Sequence, residues 1–237
     1  MPAPDSPTGA VPNNWNVYDT FEMLFWDADF PWRLGTEPLL AWQEVLLEAG
    51  ERHGVLRVEQ VDTAGYDRTR DGFIGGFVRR HPDRIPAAGD WLPQGFVPDK
   101  WPHVRTASRL CYGTDTGIEE GWFADMAELA ARVGLRDYPG RPPVTLVTDA
   151  GAGPEDDPSV VVTVGLSTDI WLPWNPPGHR LGSTPLDNRR LAACNAPRLN
   201  AFLAEIRHSA IELGGTWAWS DNFVTPPWTA DERGIVL

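Results

Sequence analysis

Asp27 and Asp29 are one residue apart and follow the apolar run Met23-Leu24-Phe25-Trp26. Two neighbouring carboxyls can divide general-acid and general-base work once burial or mutual repulsion separates their pKa values. Asp169 stands between the apolar stretch Ser159–Leu166 and a Trp- and Pro-rich loop carrying Trp171 and Trp174. An acid at a strand end beside such a loop is well placed to face a cleft or a binding surface. Glu155, Asp156 and Asp157 add negative charge in the preceding loop. The five histidines, His53, His81, His103, His179 and His208, show neither His-x-x-x-His nor His-Glu-x-x-His spacing, so no metal site is expected. Cys111 and Cys194 are far apart and not spaced as a redox or metal pair, which reads as two free thiols. Cys194, next to Asn195, would become a nucleophile only with a histidine folded beside it. No residue is assigned a catalytic role on this basis.

The stretch Met23-Leu24-Phe25-Trp26-Asp27-Ala28-Asp29 resembles the first motif of haloacid-dehalogenase-type phosphotransferases, in which one Asp attacks phosphorus and the next handles the leaving group's proton. Val144–Thr148 could stand for that family's second motif. The pattern does not continue: Pro31 replaces the expected Thr or Val, no lysine follows Lys100, and no Gly-Asp-x-x-x-Asp is present. Gly165-Leu166-Ser167-Thr168-Asp169 resembles a Gly-x-Ser-x-Gly nucleophile elbow but ends in Asp. It leads into Ile170-Trp171-Leu172-Pro173 rather than a helix, so the strained turn that exposes such a serine has no reason to form. Gly72-Phe73-Ile74-Gly75-Gly76 and Gly151-Ala152-Gly153 match no phosphate-binding loop, and no nucleotide or other cofactor is expected.

The 237 residues carry 33 acidic and 20 basic side chains, a net charge of −13. That balance excludes a phosphate-tracking nucleic-acid binder. No apolar run approaches the ~18 residues of a membrane helix. Charge is uneven: residues 1–66 are net −8, residues 67–109 net +3, and residues 110–237 net −8. Met1–Asn14 has neither a basic nor an apolar signal region and reads as a disordered lead-in, which makes the cytoplasm the default location. Twelve tryptophans are the compositional oddity, several of them next to proline. In irregular segments such rings either plug the core or line a binding face.

Elements must position these groups. Trp15–Phe30 reads as a strand, or as a short helix and a strand. Thr36 starts a helix with Pro38 in its first turn and Gly54 at its end, and Val55–Val61 alternates as a half-buried strand does. Arg70–His81 reads as a second helix and Glu119–Val133 as a third, capped by Asp115 or Thr116. Pro143–Thr148 and Ser159–Leu166 read as an antiparallel hairpin with a long loop. A helix after Asp187-Asn188 is kinked or restarted at Pro197 and carries the stripe Leu199, Phe202, Leu203, Ile206, Ala210, Leu213; Thr216–Trp219 is a last strand. The expectation is one α+β domain over residues 15–237, an antiparallel sheet packed by about four helices with long Trp/Pro-rich loops, and a weak sub-boundary near 85–101.

Two functions fit these features. One is an acidic binding protein that recognises a basic protein partner through Asp169, Trp171, Trp174 and the loop Glu155-Asp156-Asp157. Intracellular immunity proteins, which neutralise toxic and often basic enzymes, are similar in this broad character. The alternative is a small-molecule enzyme or binder with a Trp-lined pocket, in which Asp27, Asp29 or Asp169 acts as acid, base or hydrogen-bonding group.

Overall fold

Residues 24–31 alternate strictly between the interior and a half-exposed face, with Leu24, Trp26, Ala28 and Phe30 inward and Phe25, Asp27, Asp29 and Pro31 outward. Such a period of two makes a strand with one face on a core. The computed structural model describes residues 10–18, 23–34, 36–61, 104–152, 159–175, 186–222 and 230–237. In chain order its elements are β1 (Leu24–Pro31), α1 (Thr36–His53), β2 (Arg57–Val61), β3 (Val104–Thr114), β4 (Gly117–Phe123), α2 (Met126–Arg132), β5 (Val144–Ala152), β6 (Ser159–Leu166), β7 (Trp174–Asn175), β8 (Leu186–Asp187), α3 (Arg189–Glu212), β9 (Thr216–Asp221), β10 (Ala230–Asp231) and β11 (Gly234–Ile235). Single 3₁₀ turns lie at Trp32–Leu34 and Asp169–Trp171.

The chain is mixed α/β, with three helices among the described residues and antiparallel sheets. The principal sheet runs β5-β6-β1-β9. Its registers place Trp26 between Val164 and Trp219, and Asp27 between Thr163 and Ala218. On the inner face, Val160, Val162, Val164 and Leu166 of β6 join the inward residues of β1 in one core. Helix α3 contributes Leu199, Phe202, Leu203, Ile206 and Ala210, and α1 contributes Leu39, Trp42, Leu46 and Leu47. The ring of Phe30 meets that of Trp42 edge-on at 4.7 Å, and the Trp42 indole N–H reaches the Ser209 hydroxyl (3.0 Å). The second sheet, β2-β3-β4, joins the first where the Thr106 hydroxyl donates to the Val144 carbonyl (2.6 Å).

The hairpin of β5 and β6, the helix ending at Gly54 (φ +70°) and the strand at Thr216 agree with the sequence reading. The segment Glu119–Val133 does not form one helix. Gly117, at φ +148°, lets the chain reverse after β3, and Gly117–Phe123 returns as β4. The helix begins only at Met126, with the Asp125 carboxylate accepting from the Ala127 N–H (2.7 Å). Glu119 and Glu120, at the start of the expected helix, lie instead on the exposed strand β4 of a hairpin. Helix α3 is continuous through Pro197, which lies on its exposed side. The expected helix at 70–81 and the sub-boundary near 85–101 lie outside the described residues.

Residues 10–14 are not a free lead-in. The Val11 N–H donates to the Thr114 carbonyl (3.2 Å), and the Asn13 side chain pairs with both the N–H (2.9 Å) and the C=O (3.0 Å) of Gly113. Contact is so close that a Cβ at Gly113 would lie 2.0 Å from the Val11 carbonyl oxygen. Gly113→Ala is therefore expected to lift this segment and lower stability by about 1–3 kcal/mol, as overpacking against backbone does. Thermal melting and limited proteolysis at residues 10–14 would check it; an unchanged cleavage pattern would be the contrary result.

Candidate functional site

The outer face of the principal sheet gathers the Asp pair. Along β1 it presents Phe25, Asp27 and Asp29; opposite them on β6 are Gly165, Thr163 and Val161, and on β9 Ser220, Ala218 and Thr216. Thr145 and Val147 of β5 continue the rows, and Asp149 holds the register position across Val161 from Asp29. No Lys, Arg or His occupies a described position on this face. Asp27 and Asp29 point the same way because they are two residues apart on one strand. The Thr163 hydroxyl donates to Asp27 Oδ1 (2.5 Å). Burial raises the Asp27 carboxyl above its usual range, the Thr163 hydrogen bond pulls it back, and the Asp29 charge pushes it further up.

Asp169 is not on this face or on any surface. It is fully buried, as is Trp171 on the same 3₁₀ turn, so neither side chain can belong to an exposed binding face. Trp174 is 40% exposed, with the Arg189 guanidinium stacked over its ring at 4.7 Å. Glu155, Asp156 and Asp157 lie outside the described residues. Asp169 instead holds the segment before β1: Oδ1 accepts from the Asn16 main-chain N–H (2.5 Å), and Oδ2 accepts from the Asn16 side chain (2.9 Å) and the Tyr18 hydroxyl (3.1 Å). A bridge between Val17 and Thr168 and the bond from the Tyr18 N–H to the Ser167 carbonyl (2.8 Å) complete the seam. Burial pushes the Asp169 carboxyl up to about 7, although the Asn16 and Tyr18 donors pull it down. Ser167 is buried too, and its hydroxyl donates to the Pro142 carbonyl, so it is no exposed nucleophile.

The tryptophans mostly serve the interior. Trp15, Trp26, Trp42 and Trp171 are buried, and Trp122, Trp217 and Trp219 are partly so. Trp15 and Trp171 enter the core from irregular segments, the loop-plug role. Trp91, Trp101 and Trp228 lie outside the described residues.

A cleft of about 450 Å³ opens elsewhere, between residues 10–13, the β3–β4 hairpin and the end of α2. Its polar wall is a relay that the sequence did not point out. Arg132 Nη1 donates to the Tyr112 hydroxyl (3.0 Å), and that hydroxyl donates to Glu119 Oε2 (3.1 Å). Asp115 lies on the rim. The cleft contains no tryptophan and none of Asp27, Asp29 or Asp169, so the Trp-lined acidic pocket is not realised there. Its residues meet only because β4 folds back on β3, which the helical reading of Glu119–Val133 concealed. Among the described residues, no group of three or more His, Cys, Asp or Glu side chains is arranged to hold a metal ion. His53 pairs with Glu205 (2.9 Å) and His208 with Glu212 (3.2 Å), both on helix surfaces.

The free-thiol expectation is overturned: Cys111 on β3 and Cys194 on α3 form a disulfide, their Cα atoms 6.2 Å apart. Residues 83 positions apart meet because α3 crosses the edge of the second sheet, a juxtaposition no spacing rule can reveal. The bond also removes free thiols as an argument for a reducing compartment. No helix among the described residues is long and apolar enough to cross a membrane. Comparison of the chain with protein-family models, with curated proteins and with solved structures finds no match in any of the three.

Proposed function

We propose that this protein is an acidic binding protein that docks a basic protein partner on the outer face of its principal sheet, in the manner of an immunity-type neutralising protein. The observation that carries this reading is the Asp27–Asp29 pair on a sheet face with no cation at its described positions. The net charge of −13 supports it by attracting and orienting a basic partner before contact. Phe25 and Val161, beside the carboxyls, supply apolar area for a desolvated centre. The proposed face therefore moves from the Asp169–Trp171 turn to β1 and β6. A cytoplasmic location remains part of this proposal.

The test is co-purification from the native cells at low salt, with mass spectrometry of what is retained. A stoichiometric basic protein should be lost at high salt and in an Asp27→Lys/Asp29→Lys variant. It should be retained in Glu212→Lys, a charge reversal on the exposed end of α3. Retention in the double variant would refute the assigned face, and absence of any basic partner would refute the function under those growth conditions.

One observation favours a second reading. Burial and the neighbouring Asp29 charge raise the Asp27 carboxyl above its ordinary range, which favours a role as a general acid toward a small molecule. A thermal-shift screen with small neutral and cationic metabolites would detect such a ligand, and Asp27→Asn should abolish the shift.

A further inference from the structure

The disulfide is asymmetric in its surroundings. Cys111 is buried in β3, at 2% exposure, whereas Cys194 is partly exposed on α3. One turn further along α3, Arg198 Nη2 donates to Cys111 Sγ (3.2 Å) and to Asn195 Oδ1 (3.2 Å). Arg198 Nη1 reaches Glu120 Oε2 (3.4 Å), and Glu120 is also held by Arg109. Asn195 pairs with the main chain of Cys111 on both sides: its Oδ1 accepts from the N–H (2.8 Å) and its Nδ2 donates to the C=O (3.1 Å). Two properties follow. A guanidinium on the buried sulfur stabilises that sulfur as a thiolate. The Asn195 clamp, which needs no sulfur, keeps β3 against α3 when the covalent bond is open.

We infer that Cys111–Cys194 is a reversible thiol–disulfide exchange site that takes a dithiol reductant, with Cys194 as the attacked sulfur and Cys111 as the leaving group held by Arg198. The thiolate of the reductant attacks Cys194 Sγ. A bond forms between the two, the Cys194–Cys111 bond breaks, and its electron pair goes to Cys111 Sγ, which remains a thiolate beside Arg198. The second thiol of the reductant loses its proton to solvent and attacks the reductant's own bridging sulfur. Cys194 leaves and takes up a proton, the reductant becomes a disulfide, and the protein gains two electrons. Exchange is faster when the leaving thiol has a lowered pKa, and this is the step that Arg198 promotes. The opened form stays folded on the Asn195 clamp.

The experiment uses the full chain, oxidised in air, with glutathione and dithiothreitol as probes. Alkylation without reductant should label neither cysteine. Brief exposure to glutathione, acid quenching and peptide mass spectrometry should find glutathione on Cys194 and a free thiol at Cys111. Reduction by dithiothreitol should be about five-fold slower in Arg198→Gln and close to wild type in Arg198→Lys, which keeps the charge. Glutathione on Cys111, equal rates in wild type and Arg198→Gln, or reduction only at the rate of global unfolding in urea would each overturn the proposal. Labelling of both cysteines before reduction would do so too. Mapping of glutathione needs only the wild-type chain, so it decides the matter even if Arg198→Gln fails to fold.

Discussion

Raising the pH from about 5 to about 8 lowers the stability of this protein, and Asp169→Asn removes most of that slope. Asp169 is fully buried, and that burial pushes its carboxyl up from the ordinary 3.8 to about 7. The folded chain therefore binds a proton at this site over a range in which the unfolded chain has already lost it. Stability tied to such a group is fully present below the unfolded pKa and is lost as pH rises through the folded one. Between pH 5 and the folded value near 7, at ~1.4 kcal/mol per pH unit, the loss is about 3 kcal/mol. That corresponds to about 5–10 °C in Tm for a chain of this size. Asp27, also raised, acts in the same direction. Glu205 and Asp187 are lowered by arginine and histidine partners and titrate below this window, so they do not cancel the slope there. The measurement is a set of thermal melts of wild type and Asp169→Asn across the range. Parallel profiles for the two proteins would refute the assignment. Cleavage before β1 should also increase at high pH, because the ionised carboxylate is what the seam at Asn16 and Tyr18 must then carry.

A Cys111→Ser/Cys194→Ser variant is the second large effect. Closing a loop of 83 residues restricts the unfolded chain by about 4.5 kcal/mol in the chain-entropy account, near the upper end of what native disulfides contribute. The double variant should melt about 10–15 °C lower than the oxidised wild type. Wild type under reductant should match it closely, because serine leaves the Asn195 clamp and the Arg198–Glu120 pair in place. A melting temperature within a degree or two of the oxidised protein would show that the bond contributes little to stability. Equality between the reduced wild type and the double variant separates this stabilising role from the exchange chemistry, which concerns rates.

Asp169 ties the chain before β1 to the turn after β6, and the disulfide ties β3 to α3. Neither lies on the outer face of the principal sheet, which carries the Asp pair proposed for binding. Variants at Asp27 and Asp29 should therefore change partner retention with little effect on melting, because those side chains hold no element in place beyond the Thr163 bond.

By itself the sequence determined the elements whose patterns are local. Alternating Leu24, Trp26, Ala28 and Phe30 mark β1, the valines of Ser159–Leu166 mark β6, and the stripe from Leu199 to Ala210 marks α3. Gly54 and Gly214, both at positive φ, mark helix ends because the left-handed conformation there costs glycine least. The same local logic brings Asp27 and Asp29 to one face. Tertiary structure decided what depends on residues distant in the chain. Glu119 and Glu120 read as an acidic helical start, yet pairing of β4 with β3 made them a hairpin edge. Asp169 read as a surface acid, and only the segment Asn16–Tyr18, folding over it from 151 to 153 residues away, turned it into a buried lock. Cys111 and Cys194 read as separate thiols until α3 crossed β3. Burial and pairing across long separations follow from how the layers close on one another, and composition and spacing do not encode that closure residue by residue.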